Sequence, residues 1–325
     1  MKERKLMIIG GGHLCVQEIL DKLSQVKIPI KKIQLLGEGE RVGEIHEFGD
    51  QPLLVTDTKM MIEEDYDAAV FLSPVKDLES LTETLIVSKV PVLDMANLFK
   101  ASTEAPVLLP DSITYKSLVL PRVAILPTGP AHALMTTLYA LKNTACWESA
   151  TLFSLQGVSS LGTRQGMDEL FDQTRNIMGF TDVECLSFPR QIAFNAFHCS
   201  NRIETLTVIE SQARIICERP QITVAYDSAW CGFFVGLIGT IWLQASEKIH
   251  TEKVKEDLEK AKGIELKEAV EGILSVVGNE NLVIGDISYF GESSGRLTLR
   301  FAMDNLQRGL ATTLAVLLKQ IWVEK

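Results

Sequence analysis

Residues 125–141, ILPTGPAHALMTTLYAL, close an apolar run with a Thr-Gly-Pro turn and open a helix. Ala131, Leu134, Leu138 and Leu141 recur at spacings of three and four, which gives that helix one apolar stripe. Pro130 suits the first helical position, where its missing N–H would have no intrahelical partner. The free amides after a Thr128 or Gly129 cap could hold an anion or a developing oxyanion. The turn has no side chain able to attack a substrate, and a plain capped helix is the competing reading, helix N-termini being far commoner than anion sites. A second candidate is IIGGGHLCVQEIL, where a glycine cluster follows the first strand and opens a helix, the setting for a dinucleotide pyrophosphate. Gly10 and Gly12 have the required spacing, but Cys15 stands at the place of the third glycine, and a tight turn without ligand is the competing reading. In LLGEGER, Glu38 and Glu40 follow the second strand, where a carboxylate accepts the ribose hydroxyls of NAD and repels the extra phosphate of NADP. A solvated acidic loop is the alternative.

Other reactive side chains are scattered. The histidines at 13, 46, 132, 198 and 250 have no metal-ligand spacing with Cys, Asp or Glu, so no metal site is expected. His198 and Cys199 are adjacent in FHCSNR, and neighbours in a strand point to opposite faces, which disfavours a dyad. Arg164, in SSLGTRQG before a helix, could meet an anion or simply be exposed.

The elements that must position these residues fall into two patterns. In the first third, short apolar runs (KLMIIG, KIQLLG, PLLVTD, AAVFLS, VPVLDM) alternate with helices expected near 14–25 and 78–88, which implies a parallel sheet covered on both faces. PVLLP and VAILP would extend it. Beyond the Thr-Gly-Pro turn, SATLFSLQG reads as a strand and RQGMDELFDQTRNIMGF as an amphipathic helix. Strands are expected at 205–218, 221–226 and 232–246, a charged helix at 251–262, and strands near 282–289 and 296–302. A last helix, capped by Asp304, would return to the first domain. The expected fold is thus α/β: a Rossmann-like parallel-sheet domain, 1–127 and 304–325, with an inserted α+β domain, 128–303, built on a mainly antiparallel sheet.

With 325 residues the chain can hold two domains, and its net charge of −10 argues against nucleic acid or an anionic membrane as partner. Six cysteines in no CxxC pair read as buried thiols of a reducing compartment. The basic head MKERK leads into only four apolar residues, too few for a signal peptide. CGFFVGLIGTIWLQ carries three glycines and is shorter than a membrane helix requires. It reads as buried strand, and the protein as cytoplasmic.

Taken in order, IIGGGHLCVQEIL, YDAAVFLSPVKDLES, VPVLDMANLFK, VAILPTGPAHAL, LQGVSSLGTRQGMDELFDQT, QIAFNAF, ITVAYDS and FAMDNLQRGLATTLAV resemble the aspartate-semialdehyde dehydrogenase family nearly end to end. The resemblance implies a Rossmann-type domain with an inserted catalytic and dimerisation domain, a homodimer formed through the inserted domain, and an NADP-dependent aldehyde dehydrogenase chemistry of amino-acid biosynthesis. It also implies where the chemistry should lie. The family's cysteine nucleophile falls on Gly129, its histidine base on Ser228, and its substrate-clamping arginine on Gln221, with Arg219 two residues away on the same strand face. Gln156 matches the substrate-orienting glutamine, and Lys100 replaces a phosphate-binding arginine, keeping the anion-binding charge.

The cofactor positions diverge as well. Of the family's three glycines only Gly10 remains, with His13 and Val16 at the other two places. Ser73-Pro74-Val75 replaces the Ser-Ala-Gly loop near the nicotinamide; Glu38 and Glu40 replace the Ser and Arg that receive the NADP phosphate; Thr313 and Val316 replace amide-bearing residues. The cofactor-binding candidates are therefore Gly10, Gly12, Glu38 and Ser73, with NAD favoured over NADP for any nucleotide bound. Without nucleophile, base and clamp the acyl-enzyme step has no atom to form it. This pattern resembles the Usg-type branch, whose members lack those residues. The expectation is a catalytically inactive homologue that binds a small molecule, a nucleotide or a protein partner. The alternative is an NAD(P)-dependent oxidoreductase of altered chemistry.

Overall fold

The computed structural model describes residues 2–60, 65–76, 78–110, 112–113, 118–199, 203–289 and 295–324. The end of FHCSNR, residues 200–202, lies outside them. The chain divides into two compact units, Met1–Thr128 with Leu310–Lys325, and Gly129–Gly309.

The first unit contains β1 (Arg4–Ile9), α1 (Val16–Gln25), β2 (Ile30–Gly37), β3 (Ile45–Phe48), β4 (Gln51–Asp57), β5 (Ala68–Phe71), α2 (Leu78–Val87), β6 (Val92–Asp94) and β7 (Val123–Ile125). They form one sheet in the order β3-β4-β2-β1-β5-β6-β7, parallel except for the β3–β4 hairpin. Leu6, Met7, Ile8 and Ile9 of β1 are all buried, as a parallel strand covered on both faces requires. In α1 the buried residues Val16, Ile19, Leu20 and Leu23 repeat at helical spacing. Each such side chain contributes about 1.5–3 kcal/mol by leaving water, and truncating Leu20 to alanine would cost roughly 2–5 kcal/mol.

The second unit contains α3 (Gly129–Ala140), β8 (Trp147–Gln156), α4 (Arg164–Met178), β9 (Ala196–His198), α5 (Ile203–Ile216), β10 (Thr223–Cys231), β11 (Leu237–Ala245), α6 (Thr251–Lys260), β12 (Ile264–Leu266), β13 (Leu282–Tyr289) and β14 (Arg296–Met303). The chain then returns to the first unit in α7 (Thr313–Trp322), which packs on α1. The second sheet runs β12-β13-β14-β11-β8-β10-β9, with only β8–β10 and β12–β13 parallel. The two sheets are the α/β and mainly antiparallel α+β types expected.

Several expectations need correction. Residues 205–218 are not a strand: 217–218 form a turn, and 205–216 belong to α5. Its β-branched residues suggest extended chain, but Val208, Ile209, Gln212, Ala213 and Ile216 are buried on one helical face, and Glu210 pairs with Arg214 one turn on. The strands expected at 221–226 and 232–246 are β10, which runs on to Cys231, and β11, which starts only at Leu237. The turn between them uses Gly236 at φ +101°, where a side chain would be strained. PVLLP forms a single bridge, Val107 with Ile125, because Pro106 and Pro110 have no N–H to extend a ladder. The long last helix is broken. Asp304 Oδ1 does accept the N–H groups of Leu306 and Gln307, both at 2.9 Å, but residues 307–312 then wind as a wider π-helix before α7. In α3 burial is not confined to one stripe, since Ala131 through Leu138 are all buried. Among the described residues no helix is long and apolar enough to cross a membrane.

Candidate functional site

In the first unit the sequence candidates gather at the carboxyl ends of β1, β2 and β5. Gly10 turns the chain at φ +92°, and the N–H groups of Gly10 and Gly11 both donate to the Leu36 carbonyl, at 2.8 and 2.7 Å. A Cβ at Gly10 would stand 2.5 Å from Ser73 Oγ, so glycine is what lets the loop after β5 lean on this turn. Gly12 is covered in the same way by the Arg41 side chain, whose Cβ would be 2.4 Å from an added Cβ. Arg41 itself pairs with Glu44 at 2.7 Å.

His13 supplies what a ligand would otherwise supply. Its Nδ1 accepts the Cys15 N–H at 3.2 Å, at the N-cap of α1. Burial lowers its pKa from the ordinary 6.5 to about 4, so at neutral pH the ring is an uncharged acceptor. Glu38 is also engaged: its carboxylate accepts the Lys76 N–H at 3.1 and 3.2 Å and the Thr58 hydroxyl at 3.4 Å. Glu40 is exposed.

Lys100 lies exposed after a turn built by Asp94. Buried Asp94 accepts the N–H groups of Ala96, Leu98 and Phe99 at 2.8–2.9 Å, and burial raises its carboxyl pKa despite them. Asn97 donates to Thr128 Oγ1 at 3.0 Å, and that hydroxyl donates to the Met95 carbonyl at 3.1 Å. The Thr128 hydroxyl is thereby committed to its own unit.

In the second unit, Gly129 opens α3 at φ +54°, and a Cβ there would meet nothing within 4 Å. There is room for a side chain, but the left-handed backbone suits glycine. Gln156 ends β8, and its Nε2 donates to the Tyr226 hydroxyl at 3.2 Å. The register pairs Ser154 with Ser228 and Gln156 with Trp230, which places Gln156, Tyr226 and Ser228 on one sheet face. Ser228 is fully buried, and its hydroxyl is hydrogen-bonded with both Cys199 and Tyr226. Trp230 borders the group and stacks edge-on against Phe188, with ring centres 5.2 Å apart.

Burial pushes up both the Tyr226 hydroxyl and the Cys199 thiol. At neutral pH the cluster therefore consists of neutral amide, hydroxyl and thiol groups, able to donate and accept hydrogen bonds without a ready nucleophile or base. His198 does point away from Cys199, its Nδ1 lying 3.5 Å from Asp227 Oδ2 at the exposed side of the sheet. Gln221 is exposed in the turn before β10, and Arg219 precedes the same turn; neither is on a strand, so the shared strand face expected for them does not exist. Arg164 is exposed and lies 3.8 Å from Asp168, one turn along α4. No group of three or more His, Cys, Asp or Glu among the described residues is placed to hold a metal ion.

Tyr226, Arg41 and the Lys76 amide were not singled out by the sequence. A tyrosine two residues before Ser228 was a usable signal, since period two puts both on one face; the backbone amide had none.

No protein-family model matches the chain. It is 26% identical over 322 residues to the aspartate-semialdehyde dehydrogenase of Rickettsia bellii, covering 95% of each chain. It is 23% identical over 329 residues to a USG-1 protein homolog of Pseudomonas aeruginosa, covering 98% of this chain and 97% of that one. The crystal structure of aspartate semialdehyde dehydrogenase II from Vibrio cholerae superimposes with a TM-score of 0.85 over 99% of both chains at 19% identity. In sequence over almost its whole length, and in its two-unit fold, this chain resembles the aspartate-semialdehyde dehydrogenase family, with USG-1 proteins among its relatives.

Proposed function

We propose that the chain is a catalytically inert homologue of the aspartate-semialdehyde dehydrogenases that acts by binding. One observation carries the reading. The helix start where the resemblance calls for a thiolate presents Gly129, with open space instead of a side chain, while Ser228 is buried in a neutral cluster at the place of the base. A thioester needs a sulfur, and a proton relay needs a group that titrates near neutrality. Three of the six cysteines offer poor substitutes, since burial raises Cys15 well above its usual pKa, Cys217 to about 12, and Cys199 as well. The other three are not the buried thiols expected, Cys185 being exposed and Cys146 and Cys231 half-buried, and none of them starts a helix. What remains is a hydrogen-bonding set, Gln156, Tyr226 and Ser228, suited to a small polar ligand. Intact-mass spectrometry after incubation with aspartate semialdehyde and oxidised dinucleotide tests this. The unmodified mass is expected, and an acyl adduct on any cysteine would overturn the reading.

The same reading includes a homodimer formed through the second unit. Its support is the sheet face bearing Thr151, Trp242 and Thr298, paired in one row, with Trp242 40% exposed. Tryptophan is enriched at protein interfaces relative to the rest of a protein's surface. Light scattering at twice the mass of the 36.0 kDa chain is expected, and a monomer at micromolar concentration would remove this part. The alternative, an oxidoreductase of altered chemistry, draws on the retained Gln156 and requires nucleotide affinity.

A further inference from the structure

An open parallel sheet binds nucleotides outside the carboxyl ends of its strands, where the strand order reverses. In the first unit that point lies between β1 and β5, with β2 on the other side of β1. Adjacent strands are about 4.8 Å apart, so β2 and β5 stand about 10 Å from one another. Glu38 follows β2 and Lys76 follows β5, and the carboxylate of one accepts the N–H of the other. That bond crosses the carboxyl end of β1, over the line a dinucleotide would take. Ser73 closes the same gap from the β5 side, resting on Gly10. The amide at the N-cap of α1, which would face a pyrophosphate, is already donated to His13 Nδ1.

We propose that the first unit is a self-occluded Rossmann-type crevice that does not take a dinucleotide, with Glu38 as a clasp across β1 and His13 as a plug on the helix amide. A pyrophosphate would have to displace the imidazole and approach the clasping carboxylate, like charge against like. The residues present do not fit NAD or NADP, and the NAD preference suggested by the two glutamates does not follow, because Glu38 is engaged elsewhere. The inference concerns the first unit alone and stands whether or not the second unit has chemistry.

Calorimetric and thermal-unfolding titrations with NAD and NADP test it on the whole chain. Wild type is expected to show no heat of binding and no change in melting midpoint at about 5 mM of either nucleotide, since a ligand stabilises only as its concentration passes Kd. The double variant His13→Gly, Glu38→Ser opens both places and is expected to bind at least one nucleotide at least tenfold more tightly than wild type. Saturable binding to wild type, or a folded double variant with no gain, overturns the proposal. Amide hydrogen exchange provides a readout that needs no variant. Protection of the Lys76 and Cys15 N–H groups, unchanged by nucleotide, is expected, and exchange at the rate of a free amide at Lys76 overturns the clasp. Nucleotide binding without turnover would sink this inference and leave the inert-homologue reading intact.

Discussion

Replacing His13 with asparagine should remove much of the acid sensitivity of the first unit while preserving its fold. The imidazole is half-buried, its Nδ1 accepts the Cys15 N–H, and its pKa falls from 6.5 to about 4 on folding. A histidine with a depressed folded pKa contributes stability that is fully present above its unfolded pKa and is lost as pH falls through the folded value. The window is therefore pH 6.5 down to about 4. At about 1.4 kcal/mol per pH unit the full interval is worth roughly 3 kcal/mol. Between about pH 7 and about pH 4.5 wild type should lose roughly 2 kcal/mol through this one group. Asparagine keeps an acceptor oxygen for the amide and does not titrate. Urea unfolding of wild type and His13→Asn at the two pH values gives the double difference, in which the other titrating groups cancel. Wild type should lose about 2 kcal/mol more than the variant. Equal losses would refute the reasoning, as would an imidazole resonance, absent from the variant's NMR spectrum, that titrates near 6.5.

Asp94→Ala strands three N–H groups of the turn before Lys100; it should cost about 2–4 kcal/mol by denaturation, and a loss under about 0.5 kcal/mol would contradict the role given to that carboxylate. Asp67 is opposed by burial, yet hydrogen bonds from Arg4 at 2.7 Å and the Lys5 N–H at 3.0 Å, together with Lys2, pull its pKa below 3.8. Its contribution is present above pH 3.8 and fades as pH falls through the lower folded value, so Asp67→Asn should cost about 1 kcal/mol near neutrality and less in acid. A cost that grew on acidification would show the sign to be wrong. Gly129→Cys fits the open space but meets φ +54°, so it should fold with a penalty of about 1–2 kcal/mol and gain no dehydrogenase turnover, because Ser228 cannot take the proton. Turnover in that variant would mean that the nucleophile alone was missing.

The parts of the fold legible in the sequence were those with one clear period. The continuous apolar run of β1 and the Val16, Ile19, Leu20, Leu23 stripe of α1 admit one reading each. Residues 205–218 did not, because Thr207, Val208, Ile209, Ile215 and Ile216 carry β-forming side chains while helical spacing decides which are buried: Val208, Ile209 and Ile216 are, and Ile215 is exposed. The short edge strand β3, IHEF, was hidden by its charged neighbours, and its pairing with β4 is what defines it. At the candidate site, glycine positions were legible since only glycine fits beside Ser73 and Arg41. The destinations of side chains were not: Glu38 reaching the Lys76 amide and His13 folding back onto Cys15 depend on loops after different strands, a long-range arrangement that spacing does not encode.

A fold kept without its acyl-transfer chemistry should leave NAD and NADP unreduced when the wild-type chain is supplied with aspartate semialdehyde and inorganic phosphate and followed in the steady state. Rates equal to the protein-free blank are predicted with both nucleotides. Phosphate-dependent turnover that purifies with the protein and disappears when a single cysteine is replaced would contradict the account.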